Sequence, residues 1–146
     1  MPIDLQFLHA GAGVIFHCRG ALTVKDLFDA NNTLLADAAA VQKWRYAIVD
    51  LSESDSLDLS YDRAQTVVDH NERLAAEATQ GVVIAIASPK DWTFGLARMW
   101  ETLAERTGFE IRICRSRSEA EDWVSLRVRQ KFGLNFAERS SSGSAG

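Results

Sequence analysis

The amino-acid sequence predicts a single α/β domain in which helices pack on a mostly parallel five-stranded sheet. Three apolar, strand-like runs (residues 44–51, 82–87 and 109–114) are each followed by an amphipathic helical stretch. Before them, two segments with alternating polarity (residues 3–8 and 14–19) are joined by a short glycine-containing link, which favours an antiparallel hairpin. The predicted order is β-β-α-β-α-β-α-β-α, with right-handed crossovers between the parallel strands.

Three of the predicted helices begin at side chains that favour helix N-termini. Thr23 precedes a helix that we expect to run to about residue 40. Ser60 is predicted to cap the second helix, and Ser118 the last helix, with Glu121 at the position of a capping box.

The polarity of the strands predicts where each lies in the sheet. Residues 44–51 are almost continuously apolar after Arg45, which is typical of a central strand covered on both faces. Residues 52–59 are polar and are predicted to form a loop. Residues 109–114 alternate in polarity, so we expect this strand at an edge.

Length and composition are those of one globular domain. The chain has 146 residues, 47% of them hydrophobic and 25% charged. We expect the domain to span residues 1–136 and the Ser/Gly-rich residues 137–146 to be a disordered tail. The apolar runs are too short to cross a bilayer, and the first residues do not resemble an export signal, so the sequence predicts a cytoplasmic protein without integral membrane association.

The two cysteines and the net charge argue against several classes of function. Cys18 and Cys114 lie in separate predicted strands and are expected to be buried, reduced thiols rather than a disulfide. Neither belongs to a CxxC pair, which argues against zinc or thioredoxin-type chemistry. A net charge of −4 argues against general nucleic-acid binding.

No catalytic motif stands out in the sequence. The three histidines (His9, His17 and His70) are scattered, and the chain has no GxSxG, P-loop or GxGxxG motif. The acidic cluster from Asp50 to Asp62 follows a central strand, but a solvated loop is a better interpretation than a carboxylate metal site. We therefore predict a protein that is not an enzyme and has no cofactor and no metal.

Two groups of residues are candidates for binding. Ser56 and Ser60 lie in the serine-rich segment, where a hydroxyl near a helix N-terminus is a candidate phosphorylation switch; capping and turn formation are the alternative roles. The second group follows the fourth strand and is the candidate lining of a hydrophobic ligand pocket, with ordinary core packing as the alternative: Trp92, Phe94, Met99 and Trp100.

The arrangement resembles the STAS-like superfamily, the fold of bacterial anti-sigma-factor antagonists and of the cytoplasmic domain of sulfate transporters. The resemblance rests on the opening hairpin, the helix capped by Thr23, the strand ending Ile-Val-Asp-Leu-Ser at residues 48–52, and Ala-Ser-Pro at residues 87–89. Residues 94–101 and 118–123 are similar to an uncharacterised branch of that superfamily. The resemblance implies a regulatory module that binds a protein partner through its second helix.

The phosphorylation motif of the antagonists, Asp-Ser-(Ser/Thr)-Gly-Leu, is replaced here by Asp-Leu-Ser-Tyr at residues 58–61, which lacks the glycine and the paired hydroxyl. Ser60 is the one position that matches the modified serine. The leading hypothesis is therefore a non-enzymatic regulatory or protein-interaction module whose partner-binding residues are Asp55, Asp58, Tyr61 and Asp62. Homodimerisation through apolar helices is a secondary expectation. The alternative function is binding of a small apolar or lipid-like ligand.

Overall fold

A computed structural model describes residues 2–58, 61–78, 80–88 and 97–135 of the protein, with the backbone alone at residues 58, 61–64 and 97–99. The described elements follow one another along the chain as β1 Ile3–Leu8, β2 Gly13–Thr23, α1 Val24–Leu35, α2 Ala38–Lys43, β3 Tyr46–Asp58, α3 Tyr61–Glu77, β4 Val83–Ala87, α4 Ala97–Thr107, β5 Glu110–Cys114 and α5 Arg117–Phe132.

The strands form one mixed sheet in the spatial order β1-β2-β3-β4-β5. β1 pairs with β2 in antiparallel orientation, and every later pair is parallel, so the predicted architecture is confirmed. The pairing of Ile48 with Ala85 fixes β3 and β4 as parallel neighbours. β5 lies at an edge of the sheet, as the alternation of residues 109–114 predicted.

Helices cover the sheet unequally on its two faces. The larger core packs α1 to α4 against one face, with side chains such as Leu34, Val41 and Leu103 buried on strand residues. On the other face, Ala120, Val124 and Val128 of α5 pack on residues that include Ile48 and the alanines of β4. All five residues of β4 are buried, which is the expected state of a strand covered on both sides.

The polar segment at residues 52–59 was predicted as a loop, but its residues 52–58 are instead the second half of β3, which continues to Asp58. It pairs with the end of β2: Glu53 lies beside Arg19, and Asp58 beside Thr23. The prediction was wrong because β2 also continues past residue 19 and supplies backbone partners, which the polarity of one segment does not reveal. β2 passes through Gly20 with a shift in register and a positive φ of 66° at that residue.

Two predictions about helix ends also need correction. The first helix ends at Leu35, and Asp37 caps a separate helix, α2, by accepting from the backbone N–H groups of Ala39 (3.0 Å) and Ala40 (3.2 Å). The Thr23 cap itself is confirmed, as part of a capping box with Asp26.

The last helix starts two residues earlier than predicted. Its N-cap is Ser116, whose hydroxyl accepts from the N–H of Glu119 at 3.1 Å, and not Ser118. Both serines have a glutamate three residues later, so the sequence offers two equivalent capping boxes. The carboxylate of Glu119 also accepts from the backbone of Arg115 at 3.2 Å, which stabilises the earlier start.

Both cysteines are free, buried thiols, as predicted. None of the described helices is long and apolar enough to cross a membrane. Several predictions concern parts of the chain outside the described residues: Ser60, Trp92, Phe94 and the tail at residues 137–146, together with the side chains of Asp58, Tyr61, Asp62 and Met99.

Candidate ligand-binding site

A cavity of about 60 Å³ lies between the sheet and helices α1, α3 and α4. Alternate residues of the strands point to the same face, so Phe16, Ala47 and Ile84 form part of its floor. Leu27 and Val67 belong to the helical wall. The volume is several times the roughly 10–15 Å³ that one water molecule occupies by the same kind of measure.

Two asparagines interrupt the apolar wall of the cavity. Asn31 of α1 and Asn71 of α3 are each 8% exposed and both line it. Nδ2 of Asn31 donates to Oδ1 of Asn71 across a long 3.5 Å contact, and Nδ2 of Asn71 donates to the carbonyl of Val67 at 2.9 Å. No described residue donates to Oδ1 of Asn31. The pair therefore keeps hydrogen-bonding capacity inside an apolar space.

Trp100 is the one residue of the predicted pocket whose side chain the structure describes. It lines the cavity and is 8% exposed, so it is at once a core residue and a pocket residue. Its indole Nε1 is buried and has no partner among the described residues. Trp100 therefore lies on the wall of the cavity, and its role in ligand binding stays a prediction.

The asparagine pair was missed from sequence. Asn31 lies four residues after Leu27 and three before Leu34, and Asn71 lies four after Val67 and three before Leu74. Both asparagines thus occupy positions on the buried stripe of a helix. A polar amide at such a position is the signal that could have identified them, since buried polar groups require partners.

Cys18 also lines the cavity, but its chemistry is not that of a nucleophile. Burial, aided by the negative charges of Asp50 and Asp26, raises the pKa of this thiol to about 12. The sulfur is therefore protonated at neutral pH, and a protonated thiol is a poor nucleophile and a poor metal ligand.

His70 fastens α3 to α1 beside the asparagine pair. The centroid of its ring lies 4.5 Å from the ring centroid of Phe28. Its Nε2 atom is 3.2 Å from Oδ1 of Asn32. Its Nδ1 is buried without a partner among the described residues. Burial, and to a smaller extent the charge of Arg73, lower the pKa of His70.

We expect this lowered pKa to make the protein less stable in mild acid. The unfolded chain binds a proton near pH 6.5 more readily than the folded chain does, so the free energy of unfolding falls as pH decreases below about 6.5. In His70→Gln, the decrease between about pH 7.5 and about pH 5 should be smaller than in the wild type, as measured by urea unfolding. Equal decreases in the wild type and in His70→Gln would contradict the attribution of this acid sensitivity to His70.

A separate polar cluster surrounds Asp50, which lies in the middle of β3 and pairs with Ala87 at the carboxyl end of β4. Asp50 accepts from the backbone N–H of Ser52 at 3.0 Å and from Nη1 of Arg117 at 3.1 Å. Burial alone would raise the pKa of Asp50, but the hydrogen bonds from Ser52 and Arg117 outweigh it and hold the pKa below its usual value. Within the described part of the chain, no three His, Cys, Asp or Glu side chains are placed to hold a metal ion.

Of the predicted switch and partner residues, Asp55 and Ser56 have described side chains, and neither lines the cavity. Asp55 and Ser56 are both exposed on the extended end of β3, where Ser56 pairs with Ala21 of β2. They are therefore fixed on a paired strand instead of a loop. The three histidines also stay apart: His9 contacts Tyr46 at 2.8 Å and His17 contacts Gln6 at 2.8 Å, on elements remote from His70.

The fold is SpoIIAA-like, as a comparison with a solved structure shows. An uncharacterised protein of the DUF3478 family from Shewanella loihica, described as having a SpoIIAA-like fold, superposes with a TM-score of 0.54 and 21% sequence identity. The likeness covers 84% of this chain and 91% of that one. No protein-family model matches the chain, and no curated protein matches it either. The comparison thus establishes the fold but not the function, which has to be inferred from the residues of the cavity.

Proposed function

We propose that this protein is a non-enzymatic binding domain that holds a small, mainly apolar ligand in the cavity between the sheet and helices α1, α3 and α4. The observation that supports this proposal is the asparagine pair in an otherwise apolar wall. Buried polar groups with incomplete hydrogen bonding cost free energy, and a few polar groups in a mainly apolar concavity are typical of small-molecule sites.

The described lining also argues against catalysis. It contains no charged side chain and no histidine, so the wall offers no ordinary general acid or base. The one potential nucleophile, Cys18, is kept protonated by burial. Binding without chemical conversion is the function that these residues can perform.

Filling the cavity tests the proposal. Ala47 is 1% exposed and lies on the floor, so Ala47→Val should occupy part of the space. We expect xenon, a probe for small apolar cavities, to shift the NMR signals of methyl groups such as those of Val67 and Leu74 in the wild type, and to bind at least several-fold more weakly to Ala47→Val. Native mass spectrometry of the gently purified wild type should reveal a bound small molecule.

Ala21→Val is the matched control, because Ala21 is an exposed residue of β2 and the substitution is chemically identical. This variant should keep the wild-type response to xenon. If the wild type gives no response at its cavity methyl groups and carries no molecule, the proposed function is wrong.

A second candidate function is a regulatory module that binds a protein partner. It is favoured by the exposed Asp55 and Ser56, which lie on the part of β3 that pairs with the end of β2. Such a surface recognises a partner with complementary positive charge. Homodimerisation belongs to the same class of proposal and is tested by the concentration dependence of sedimentation.

Affinity capture with two charge-reversed baits tests this second candidate. Asp55→Lys should lose a protein that the wild type retains, whereas Glu105→Lys, an exposed position on α4, should retain it. Ser56→Asp should change the captured amount if Ser56 is a phosphorylation switch. Identical capture by all four baits would eliminate this surface.

A further inference from the structure

We infer that the ligand of the cavity is an uncharged molecule with an apolar body and one hydroxyl or carbonyl group, which binds at Asn31. This inference rests on the proposed function and specifies the chemical class of the ligand. Two properties of the wall support this inference: the described lining has no charged side chain, and the asparagine pair has unused hydrogen-bonding capacity.

The first property excludes an ionised ligand. No lysine, arginine, histidine, aspartate or glutamate is present among the described residues that line the cavity. A carboxylate or ammonium group transferred from water into such a space would lose its hydration without gaining a partner of opposite charge, which is strongly unfavourable. A neutral ligand does not meet this cost.

The second property favours a polar atom on the ligand. Oδ1 of Asn31 receives no hydrogen bond from the described residues, and its Nδ2 makes only the 3.5 Å contact to Asn71. An amide group offers both a donor and an acceptor, so a hydroxyl group, which does the same, complements it. A carbonyl oxygen complements the Nδ2 group alone. The rest of the ligand then meets side chains such as Val67 and Ile84.

Small three-carbon probes suit a cavity of about 60 Å³ and differ only in the group that the inference concerns. Titrations of 1-propanol, propionate and propane at about pH 7, where propionate is ionised, should be followed by NMR of the wild-type methyl groups. We expect 1-propanol and propane to bind, and propionate to bind at least about tenfold more weakly than 1-propanol because its charge is left unpaired. Propionate binding as tightly as 1-propanol would overturn the inference without any need for a variant.

Asn31→Leu separates the polar contact from the apolar ones. It should weaken 1-propanol binding by about three- to tenfold, the range of one neutral hydrogen bond, and leave propane binding unchanged or tighter. Thr33→Leu also replaces a polar side chain of α1 with leucine, at an exposed position that does not line the cavity, and should leave both affinities unchanged. Dispersed amide spectra of both variants establish that they fold.

The outcomes distinguish the inference from the proposed function. If neither propane nor xenon binds at the cavity, the proposed function fails and the inference fails with it. If propane binds but Asn31→Leu changes the affinities for propane and 1-propanol by equal factors, the cavity still binds ligands, but the polar role of Asn31 is wrong.

Discussion

Gly13→Ala is expected to lower the free energy of unfolding by about 3 kcal/mol, the upper part of the range for overpacked cores. A Cβ atom at Gly13 would lie closer than 3.0 Å to three atoms of the Tyr46 side chain, which pairs with it across β2 and β3. Tyr46 is 3% exposed and its hydroxyl contacts His9, so the ring has little freedom to move away. Urea unfolding followed by circular dichroism measures the loss.

A double-mutant cycle isolates this clash from other effects of the substitution. In a Tyr46→Ala background the ring is absent, so adding Gly13→Ala should cost less than about 1 kcal/mol, giving a coupling energy of about 2 kcal/mol. Gly20→Ala is the comparison for backbone conformation, because Gly20 has a φ of 66° and no atom within 4 Å of the added Cβ. It should cost about 1–2 kcal/mol. Strict additivity at Gly13 and Tyr46 would contradict the steric explanation.

Trp44→Ala is expected to cost about 3–5 kcal/mol, the range for removal of a large buried aromatic side chain. Trp44 is 1% exposed, its Nε1 donates to the carbonyl of Tyr46 at 2.8 Å, and its ring packs edge-on against Phe109 with centroids 5.5 Å apart. The substitution removes the buried indole with both of these contacts and enlarges the cavity that the indole lines. Unfolding in urea again provides the measurement.

Trp123→Ala serves as the control for the loss of a tryptophan. Trp123 is only partly buried on α5, with the guanidinium of Arg112 at 5.9 Å from its ring centroid. We expect a cost of about 1–2 kcal/mol there, from reduced burial and a weak cation–π contact. A cost at Trp44 no larger than the cost at Trp123 would contradict the expectation that the burial and contacts of Trp44 stabilise the core.

The sequence predicted the architecture because its strongest signals are local. The apolar runs at residues 44–51 and 82–87 need cover on both faces, and the intervening helical stretch makes parallel pairing the natural connection. Residues 52–58 were misassigned because their strand conformation depends on β2, a partner distant in sequence. The cap of the last helix was misplaced at Ser118 for a different reason: Ser116 is chemically equivalent, and the contact of Glu119 with the backbone of Arg115, which stabilises the earlier start, does not follow from residue spacing.

The candidate site was only partly predictable. Trp100 lies on a clear apolar stripe, so its burial beside the sheet followed from helical spacing. The cavity depends on the separation of three helices from four strands, and no spacing along the chain encodes that distance. Asn31 and Asn71 become meaningful as a pair only when α1 and α3 are brought together, although each carried a local signal as a polar residue on an apolar stripe.

The unequal cover of the sheet affects how the protein folds while it is synthesised on the ribosome. Among the described helices, α5 alone packs on the face that carries Ile48 and the β4 alanines, and it is made after all five strands. Until residues 117–132 leave the exit tunnel, α5 does not cover that apolar face, and a partly synthesised chain with exposed sheet surface is prone to aggregate. Nascent chains that stall before Arg117 are therefore the ones that most need a chaperone.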